Sequence, residues 1–485
     1  MQGISKHNPT RSFLAVNHRW LGCASLLAFC GLFAGCATYH AQPLSPDDTA
    51  EEFHARRLDD PKLRAFLEAN VPEVAQPWPR PSWALSELTL VAFFYHPDLD
   101  VARAQWASAT AAIKTAGARP NPTLGVTPGY NFNASGGSSP WFPGITVDLP
   151  VETAGKRGIR ISRAERLALS ARLNVTTVAW QLRSALRAAL TDFTASRRRI
   201  ALLQAQADTQ RRIVDLLQDR QSAGAASTTE VSTARIALTR LQVDAADAER
   251  QNNDALSHLA AALGLPLASL QVGQLSFALE PNPSVLDAPT ARRLALQRRS
   301  DIRSALADYD VSESELEAEI AKQYPDVHLG TGYQWDQGEN KWNLALSAEL
   351  PVFNRNQGGI AEAEAKRHET AARFRALQAR IAAEIDRATA AQSLAVKQLV
   401  GVREVQRALD AQMDRMQTRL AAGDIDQLEF QTAKLEAAAS AVALLDSEVR
   451  VTQAVGELED ALQIPFPALS LAEGPGDART PKEKP

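Results

Sequence analysis

The chain has 485 residues, of which 45% are hydrophobic and 6% aromatic, and its formal net charge at pH 7 is −4. A slightly acidic chain lacks the basic surface with which nucleic-acid-binding proteins neutralise phosphates. Three cysteines are too few for a disulfide scaffold, and the cysteines and histidines fit no zinc-binding pattern.

Residues 1–35 have the organisation of a bacterial signal peptide. A basic segment precedes an apolar run over residues 20–33, and small residues follow before Cys36. The sequence FAGC resembles the lipobox of bacterial lipoproteins, although Phe33 replaces the usual leucine. We therefore predict a lipoprotein signal peptide and palmitate-type lipid attachment at Cys36, and Ala37 suggests sorting to the outer membrane. The alternatives are an uncleaved helix and a plain signal peptide cut near Ala37.

The chain beyond this leader is an internal duplication. Four short motifs recur in one order about 200 residues apart, for example DLPV with ELPV and ALGLP with ALQIP. We assign 85–286 to the first repeat and 287–467 to the second. Residues 36–84, which contain several prolines, are predicted as an irregular lead-in, and 468–485 as a flexible C-terminal tail.

Each repeat is predicted to begin with a helix, over about 85–117 and 287–322, which two strands follow. In the strands, apolar residues alternate with polar or small ones. Pro128 and Pro143 weaken the pattern in the first repeat. The predicted strands are about 122–133 and 141–151 in the first repeat, and about 326–336 and 341–351 in the second.

The alternation gives each strand pair an apolar, aromatic face and a polar face that carries Asp148, Gln334, Asn343 and Glu349. Two soluble hairpins packed on helices would explain this pattern, and so would strands whose apolar face contacts lipid. Four strands cannot close a barrel in a bilayer, so the second interpretation requires two or three chains. A conducting pore favours twelve strands, because eight-stranded barrels fill their interior with side chains.

Two long helices then complete each repeat. Apolar residues recur with the 3-4 spacing of coiled coils, and a helix over about 155–220 would be roughly 100 Å long. Gly224 and Gly423 are predicted to end the descending helices in the left-handed conformation. The return helices are predicted to begin at capping residues, Ser227 with Glu230 and Asp426 with Glu429.

The order of these elements resembles the TolC-like outer-membrane efflux channels over about residues 85–467. The sequences DLPVETAGKR at 148–157 and LPVFNRNQG at 350–358 lie where strand passes into helix. They are similar to the CzcC-like branch, which serves heavy-metal resistance-nodulation-division (RND) pumps. Ala154 replaces a glycine that is usual in the first motif.

This resemblance implies a mainly α fold with a small β part, internally duplicated, with long antiparallel coiled-coil hairpins and four transmembrane strands per chain. It implies a homotrimer whose 12-stranded barrel lies in outer-membrane lipid and continues into an α-helical periplasmic tunnel. The helix turns would dock onto a periplasmic adaptor, or membrane fusion protein, that connects them to an inner-membrane RND pump. The adaptor-docking residues implied are Leu217, Arg220, Gly224, Arg419, Leu420 and Gly423.

Two acidic residues lie beside the second turn. In a threefold assembly, Asp424 and Asp426 could form a ring of carboxylates that selects cations at the tunnel mouth. The alternative is that Asp426 only caps a helix. The basic residues of GKR at 155–157 are interpreted either as contacts to lipid head groups or as a solvated helix start, because the sequence lacks the rest of a phosphate-binding loop.

The function predicted is a passive duct of a tripartite RND-type efflux system that exports divalent heavy-metal cations, such as cobalt, zinc or cadmium, from periplasm or cytoplasm to the exterior. The alternatives are a multidrug or general efflux or secretion duct of the same fold, and a structural coiled-coil lipoprotein that spans the periplasm. No catalytic set of residues has a recognisable motif, and the histidines, including His328 on the polar strand face, lack ligand spacing. We therefore predict no enzymatic activity, cofactor, resident metal or nucleic-acid partner.

Overall fold

The computed structural model describes residues 37–134, 136–137, 139–270, 275–279 and 287–465. The described chain divides into two units at Ala55 and Arg56, and the first unit contains helix α1 (Pro46–Ala55). The predicted signal peptide, the lipid attachment site Cys36 and the predicted tail at 468–485 lie outside the described residues.

The second unit contains the two repeats. Its helices are α2 (Pro61–Asn70), α3 (Leu85–Tyr95), α4 (Pro97–Ala116), α5 (Lys156–Ser222), α6 (Thr228–Leu263), α7 (Ala288–Arg298), α8 (Ser300–Ala321), α9 (Gln357–Ala422) and α10 (Gln427–Leu462). Its strands are β1 (Thr123–Thr127), β2 (Gly144–Val151), β3 (Val327–Asp336) and β4 (Glu339–Ala348).

Two long antiparallel hairpins, α5–α6 and α9–α10, dominate this unit, as predicted. Helices α5 and α9 have 67 and 66 residues, so each is roughly 100 Å long at 1.5 Å per residue. Their return helices have 36 residues each. Among the described residues, no helix combines the length and the apolar content needed to cross a membrane.

The coiled-coil spacing places apolar residues in the buried seams. Buried seam residues include Leu186, Phe193, Ala207 and Val214 of α5 and Ile381, Ile385, Ala388 and Ala395 of α9. The seam also contains buried glutamines. The Gln210 amide donates to the carbonyl of Ala234 at 2.9 Å, and the Gln206 amide donates to that of Ala438 at 2.8 Å. These bonds limit the cost of burying polar groups.

Each of the two predicted helices before the strands is interrupted. Pro97 disfavours the helical conformation at His96, which is extended at φ −76° and ψ 124°. Arg299 is extended at the equivalent position of the second repeat, and its guanidinium donates to the carbonyl of Ala461 at 2.7 Å. The prediction of two uninterrupted helices is therefore wrong at these positions.

The strands form one antiparallel sheet in the order β1-β2-β3-β4, so the pairing of β2 with β3 joins the two repeats. Strand β1 is shorter than the predicted 122–133, because Pro128 has no backbone N–H to continue the ladder. Strands β3 and β4 form a regular hairpin around Gln337 and Gly338, whose φ values of 52° and 92° fit a tight two-residue turn.

Each repeat has its own hydrophobic core where short helices pack on the long ones. In the first core, Leu63 of α2 and Leu88 of α3 are fully buried with Leu186 of α5 and Leu259 of α6. The second core joins α7, α9 and α10. The lead-in predicted as irregular therefore contains two short helices, and α2 belongs to the first core.

A buried charge network joins α5 of the first repeat to α10 of the second. The Arg187 guanidinium donates to Glu459 at 2.8 Å, to Asp460 at 2.6 Å and to the carbonyl of Gly456 at 2.8 Å. A Cβ atom on Gly456 would lie 2.5 Å from Arg187 Nε, so only glycine leaves room for the guanidinium. The pattern of heptads does not indicate this network.

Candidate functional site: an amphipathic sheet and two paired helix turns

One face of the sheet is apolar across all four strands. The registers place Val126, Ile145, Tyr333 and Trp342 in one row across the sheet. This face is uncovered within the chain, since Val126 is 67%, Trp342 is 79% and Leu344 is 73% exposed. Contiguous exposed apolar surface of this kind marks a contact with a partner or with lipid. Exposed apolar residues of this face are Leu124, Val126, Ile145, Val147, Leu149, Val151, Leu329, Trp342, Leu344 and Leu346.

Aromatic residues lie at the loop end of the same sheet. The rings of Tyr333 and Trp342 are 4.9 Å apart, and the Tyr130 and Trp141 rings are also 4.9 Å apart. The Tyr333 hydroxyl donates to the Asn340 side chain at 2.6 Å. Amphipathic aromatic rings in this position are typical of the boundary between a lipid bilayer and water.

The opposite face is polar or small. It carries His328 and Asp148, whose Nδ1 and Oδ2 atoms are 2.9 Å apart, together with Gly330 and Gly332. At the loop end, the Lys341 ammonium donates to Asp336 at 2.8 Å. A sheet with one lipid-compatible face and one water-compatible face can form a wall between the two solvents.

The sheet has two edges without a partner in the described chain. Strand β1 pairs only with β2 through five residues, and β4 pairs only with β3 through ten. An unpaired edge exposes a row of N–H and C=O groups that accepts another strand. Each edge of this open sheet can therefore accept a further strand.

The basic residues at the junction of β2 and α5 contact protein groups. The Lys156 ammonium donates to Asp326 at 2.8 Å and to the carbonyl of Tyr324 at 2.7 Å. The Arg157 guanidinium donates to the carbonyl of Gly117 at 2.7 Å. These bonds connect strand, long helix and short helices, so the structure favours a positioning role for this motif over contacts to lipid head groups.

The turns at the other ends of the long hairpins have the predicted caps. In the first turn, Gly224 has φ 74°, and the N–H of Ala225 donates to the carbonyl of Arg220 at 2.7 Å. In the second turn, Gly423 has φ 78°, and the N–H of Asp424 donates to the carbonyl of Arg419 at 2.9 Å. Both turns close the helix with the six-to-one bond of a Schellman motif.

The return helices begin at side-chain caps. The Glu230 N–H donates to the Ser227 hydroxyl, and the Glu230 carboxylate accepts from the Ser227 N–H. This backbone hydrogen bond lowers the pKa of Glu230. The Glu429 N–H donates to Asp426 Oδ1 at 2.9 Å, and this bond lowers the pKa of Asp426. Predicted capping is thus confirmed in both turns.

The structure brings the two turns together, which the sequence does not predict. The Arg220 guanidinium donates to Asp426 Oδ2 at 2.7 Å. Leu217 of α5 and Leu428 and Leu435 of α10 all pack against the buried cluster of Ile213, Val214 and Ala234. The sequence alone offers no signal for a pair of residues that are 206 positions apart.

The other predicted tip residues lie at the surface. Arg419, Gly423 and Asp424 are exposed, and Leu420 is half-buried. Asp426 uses one carboxylate oxygen to cap the return helix and the other to bind Arg220. The exposed carboxylate of Asp424 is therefore the better placed of the two to contact a solute. In the described part of the chain, no group of three or more His, Cys, Asp or Glu side chains could hold a metal ion.

The chain has long helical hairpins with paired turns at one end and an amphipathic, open sheet at the other. This architecture is typical of the subunits of membrane channels. The chain belongs to the outer membrane efflux protein family, because the sequence profile of that family matches residues 95–265 and 291–462, more than half of the chain. The predicted resemblance is therefore confirmed. As in its family, the protein resides in the outer membrane and extends into the periplasm.

One curated relative is the cobalt-zinc-cadmium resistance protein CzcC of Cupriavidus metallidurans, which is 27% identical over 220 residues. The match covers 45% of this chain and 52% of the relative, so the chain spans about half the length of the curated relative that it matches.

Solved structures show the same fold. The outer membrane protein VceC of Vibrio cholerae aligns with a TM-score of 0.64 at 18% identity, over 79% of this chain and 96% of VceC. The outer membrane channel MtrE of Neisseria gonorrhoeae, solved in an open state, aligns with a TM-score of 0.61 at 17% identity, over 78% of this chain and 89% of MtrE.

Proposed function

We propose that three copies of this chain form a passive export duct through the outer membrane, as the outermost part of a tripartite efflux system. The observation that carries the proposal is the four-stranded sheet, which has one exposed apolar face and two unpaired edges. Lipid would cover the apolar face, and water would fill the space on the polar face.

The strand order supports closure of the sheet by identical copies. Successive strands are antiparallel, so β1 and β4 run in opposite directions. Strand β4 of one chain can therefore pair with β1 of the next chain in the same antiparallel pattern. Three copies give twelve strands, which leave an aqueous lumen where eight would fill it with side chains.

The long hairpins would continue this lumen into the periplasm, and the paired turns would dock onto a periplasmic adaptor that connects them to an inner-membrane RND pump. The proposed docking residues are Leu217, Arg220, Gly224, Arg419, Leu420 and Gly423. An acyl chain on Cys36 would add a lipid anchor beside the barrel. Support for the docking surface comes from the exposed glycines of both turns.

We propose divalent heavy-metal cations as the exported solutes, because the curated relative is a cobalt-zinc-cadmium resistance protein. The carboxylates of Asp424 near the turns would favour cations at the entrance. A duct has no need to recognise the solute itself, since an upstream pump can select it.

The principal test is single-channel conductance of the purified protein in planar bilayers, combined with its mass in detergent. We expect trimers and stable, ohmic current without any added energy source. A monomer that stays in solution without detergent would contradict the proposal.

Adaptor docking is tested by crosslinking in cells. We expect the double substitution Gly224→Asp and Gly423→Asp to abolish the crosslink, because each adds a charged side chain at a left-handed position. Gly338→Asp is the matched control, since Gly338 also has a positive φ but lies in the β3–β4 turn. An unchanged crosslink in the double variant would remove the docking assignment.

The solute class is tested by deletion of the gene. We expect the deletion to sensitise cells to zinc, cobalt or cadmium and to leave sensitivity to dyes and antibiotics unchanged. The opposite pattern would identify a multidrug duct of the same fold.

A further inference from the structure

The polar face of the sheet carries a histidine and a carboxylate in direct contact. His328 Nδ1 and Asp148 Oδ2 are 2.9 Å apart, and their side chains are 44% and 39% exposed. His328 is the one histidine in the four strands. We propose that His328 and Asp148 together bind a divalent transition-metal cation on the wall of the duct.

The separation of the two atoms fits metal coordination. Histidine nitrogen and carboxylate oxygen bind such cations at about 2.0–2.2 Å, so two ligand atoms are about 3.4 Å apart in a tetrahedral site and about 3 Å apart at right angles. A cation can thus replace the hydrogen bond between the two side chains with little movement. Imidazole with carboxylate suits zinc and cobalt better than magnesium or calcium, which prefer oxygen ligands alone.

The register of the strands explains how this pair forms. Asp148 of β2 lies opposite Gly330 of β3, which has no side chain. The carboxylate can therefore reach diagonally to His328, which is also in β3. On the other side, β4 places Ser347 opposite His328 and Ala345 opposite Gly330. Pro150 lies opposite His328 on β2, and the other residues opposite the pair are small, so both side chains stay partly exposed to solvent.

Neighbouring acids are already engaged. Asp326, two residues before His328, accepts hydrogen bonds from Lys156 at 2.8 Å and from the Thr153 N–H at 3.1 Å. The site thus has two protein ligands, and water fills the other positions of the cation. Such a site binds weakly, as conduction requires, because a solute must leave as readily as it enters.

Cation binding through Nδ1 requires a change of tautomer. A neutral ring whose Nδ1–H donates to Asp148 must move this proton to Nε2 through solvent before Nδ1 can bind the cation.

The site rests on the proposed duct, since only a water-filled lumen brings cations to this face. The test is single-channel current in planar bilayers with added zinc chloride, together with zinc binding to the detergent-solubilised trimer by titration calorimetry. We expect zinc to reduce the current reversibly. His328→Gln should weaken this block at least about tenfold and remove one bound zinc per chain, and Asp148→Asn should weaken it about 10–100-fold.

Gln334→Ala is the control, since Gln334 lies on the same face of β3, and it should leave the block unchanged. If the channel conducts but zinc does not block its current, or if the block is the same in His328→Gln, the cation site is wrong and the duct stands. If Asp148→Asn has no effect while His328→Gln does, the two-ligand site is wrong. Absence of any current overturns the duct itself.

Discussion

The helical hairpins and the sheet treat apolar side chains in opposite ways. In the hairpins, apolar residues such as Leu186 and Ile385 are buried, and even charged groups such as Arg187 are enclosed between helices. In the sheet, Trp342 and Leu344 are largely exposed and nothing in the chain covers them. The hairpins thus bury the apolar residues of their seams within one chain, although Val243, Leu394 and Val400 remain exposed, whereas the apolar face of the sheet is uncovered.

In the proposed duct, this difference would make the helical bundle stable within one chain, whereas the four strands of one chain would form only part of the barrel wall. Burial of apolar surface stabilises the bundle by roughly 25 cal/mol per Å². In the proposed duct, the apolar face of the sheet would contribute only after the chain has inserted into lipid and associated with further copies. Substitutions in the two regions should therefore be separable by whether lipid changes their effect.

The largest effect is expected in the bundle, at the charge network between the repeats. Arg187→Met should lower the free energy of unfolding by about 3–5 kcal/mol, because it leaves the buried carboxylate of Glu459 with fewer partners. Thermal unfolding in detergent measures this loss. Arg250→Ala, which removes an exposed ion pair with Asp254, is the control and should cost at most about 0.5 kcal/mol. An equal loss in the free energy of unfolding in both variants would show that the charge network does not stabilise the contact between the two repeats.

The sheet gives the next effect, and here two adjacent residues provide the comparison. Leu344→Lys places a charge on the apolar face and should cost about 2–4 kcal/mol near the middle of a bilayer. Asn343→Lys alters the polar face and should be close to neutral. Trimer stability in lipid nanodiscs is the measurement. If the two variants behave alike, the apolar face does not contact lipid.

The turns give a smaller effect of known sign. Gly423→Ala should destabilise by about 1–2 kcal/mol, because Gly423 has φ 78° and an L-residue is strained there. Gly401→Ala should act in the opposite direction by about 0.5–1 kcal/mol, since Gly401 lies exposed within α9 and a Cβ atom added there would meet no other atom within 4 Å. Thermal unfolding of the two variants under one condition tests the contrast. A loss of stability in both would contradict it.

The smallest effect concerns acid sensitivity at the same turns. The pKa values of Glu230 and Asp426 are lowered by hydrogen bonds from backbone N–H groups. Their stabilisation is therefore present above the ordinary carboxyl pKa of about 4 and is lost as the pH falls through the lowered values. Amide hydrogen exchange of the turn peptides should accelerate, after correction for intrinsic rates, only below about pH 4. The double variant Glu230→Gln and Asp426→Asn should show no such transition, and a transition that persists would assign it to other groups.

Much of the fold could be predicted from the sequence, because the features concerned are local. Heptad spacing, the capping residues Ser227 and Asp426, and the glycines at 224 and 423 each act within one or two helical turns. Alternation in β3 and β4 likewise needs only neighbouring residues. The prediction of uninterrupted helices is wrong at His96, although Pro97 is a local signal there, and at Arg299, where the contact with the carbonyl of Ala461 on a distant helix is not visible in the local sequence.

Short-range periodicity and capping encode the duplicated order of elements, the turns of the long hairpins and the two faces of the strands, so these features can be predicted from the sequence. Only the tertiary structure decided which distant residues meet, as Arg187 does with Glu459 across 272 positions and Arg220 with Asp426. It also decided that β2 pairs with β3 and that Asp148 reaches His328 past a glycine. Such contacts depend on how the two repeats pack, and no local pattern carries that information.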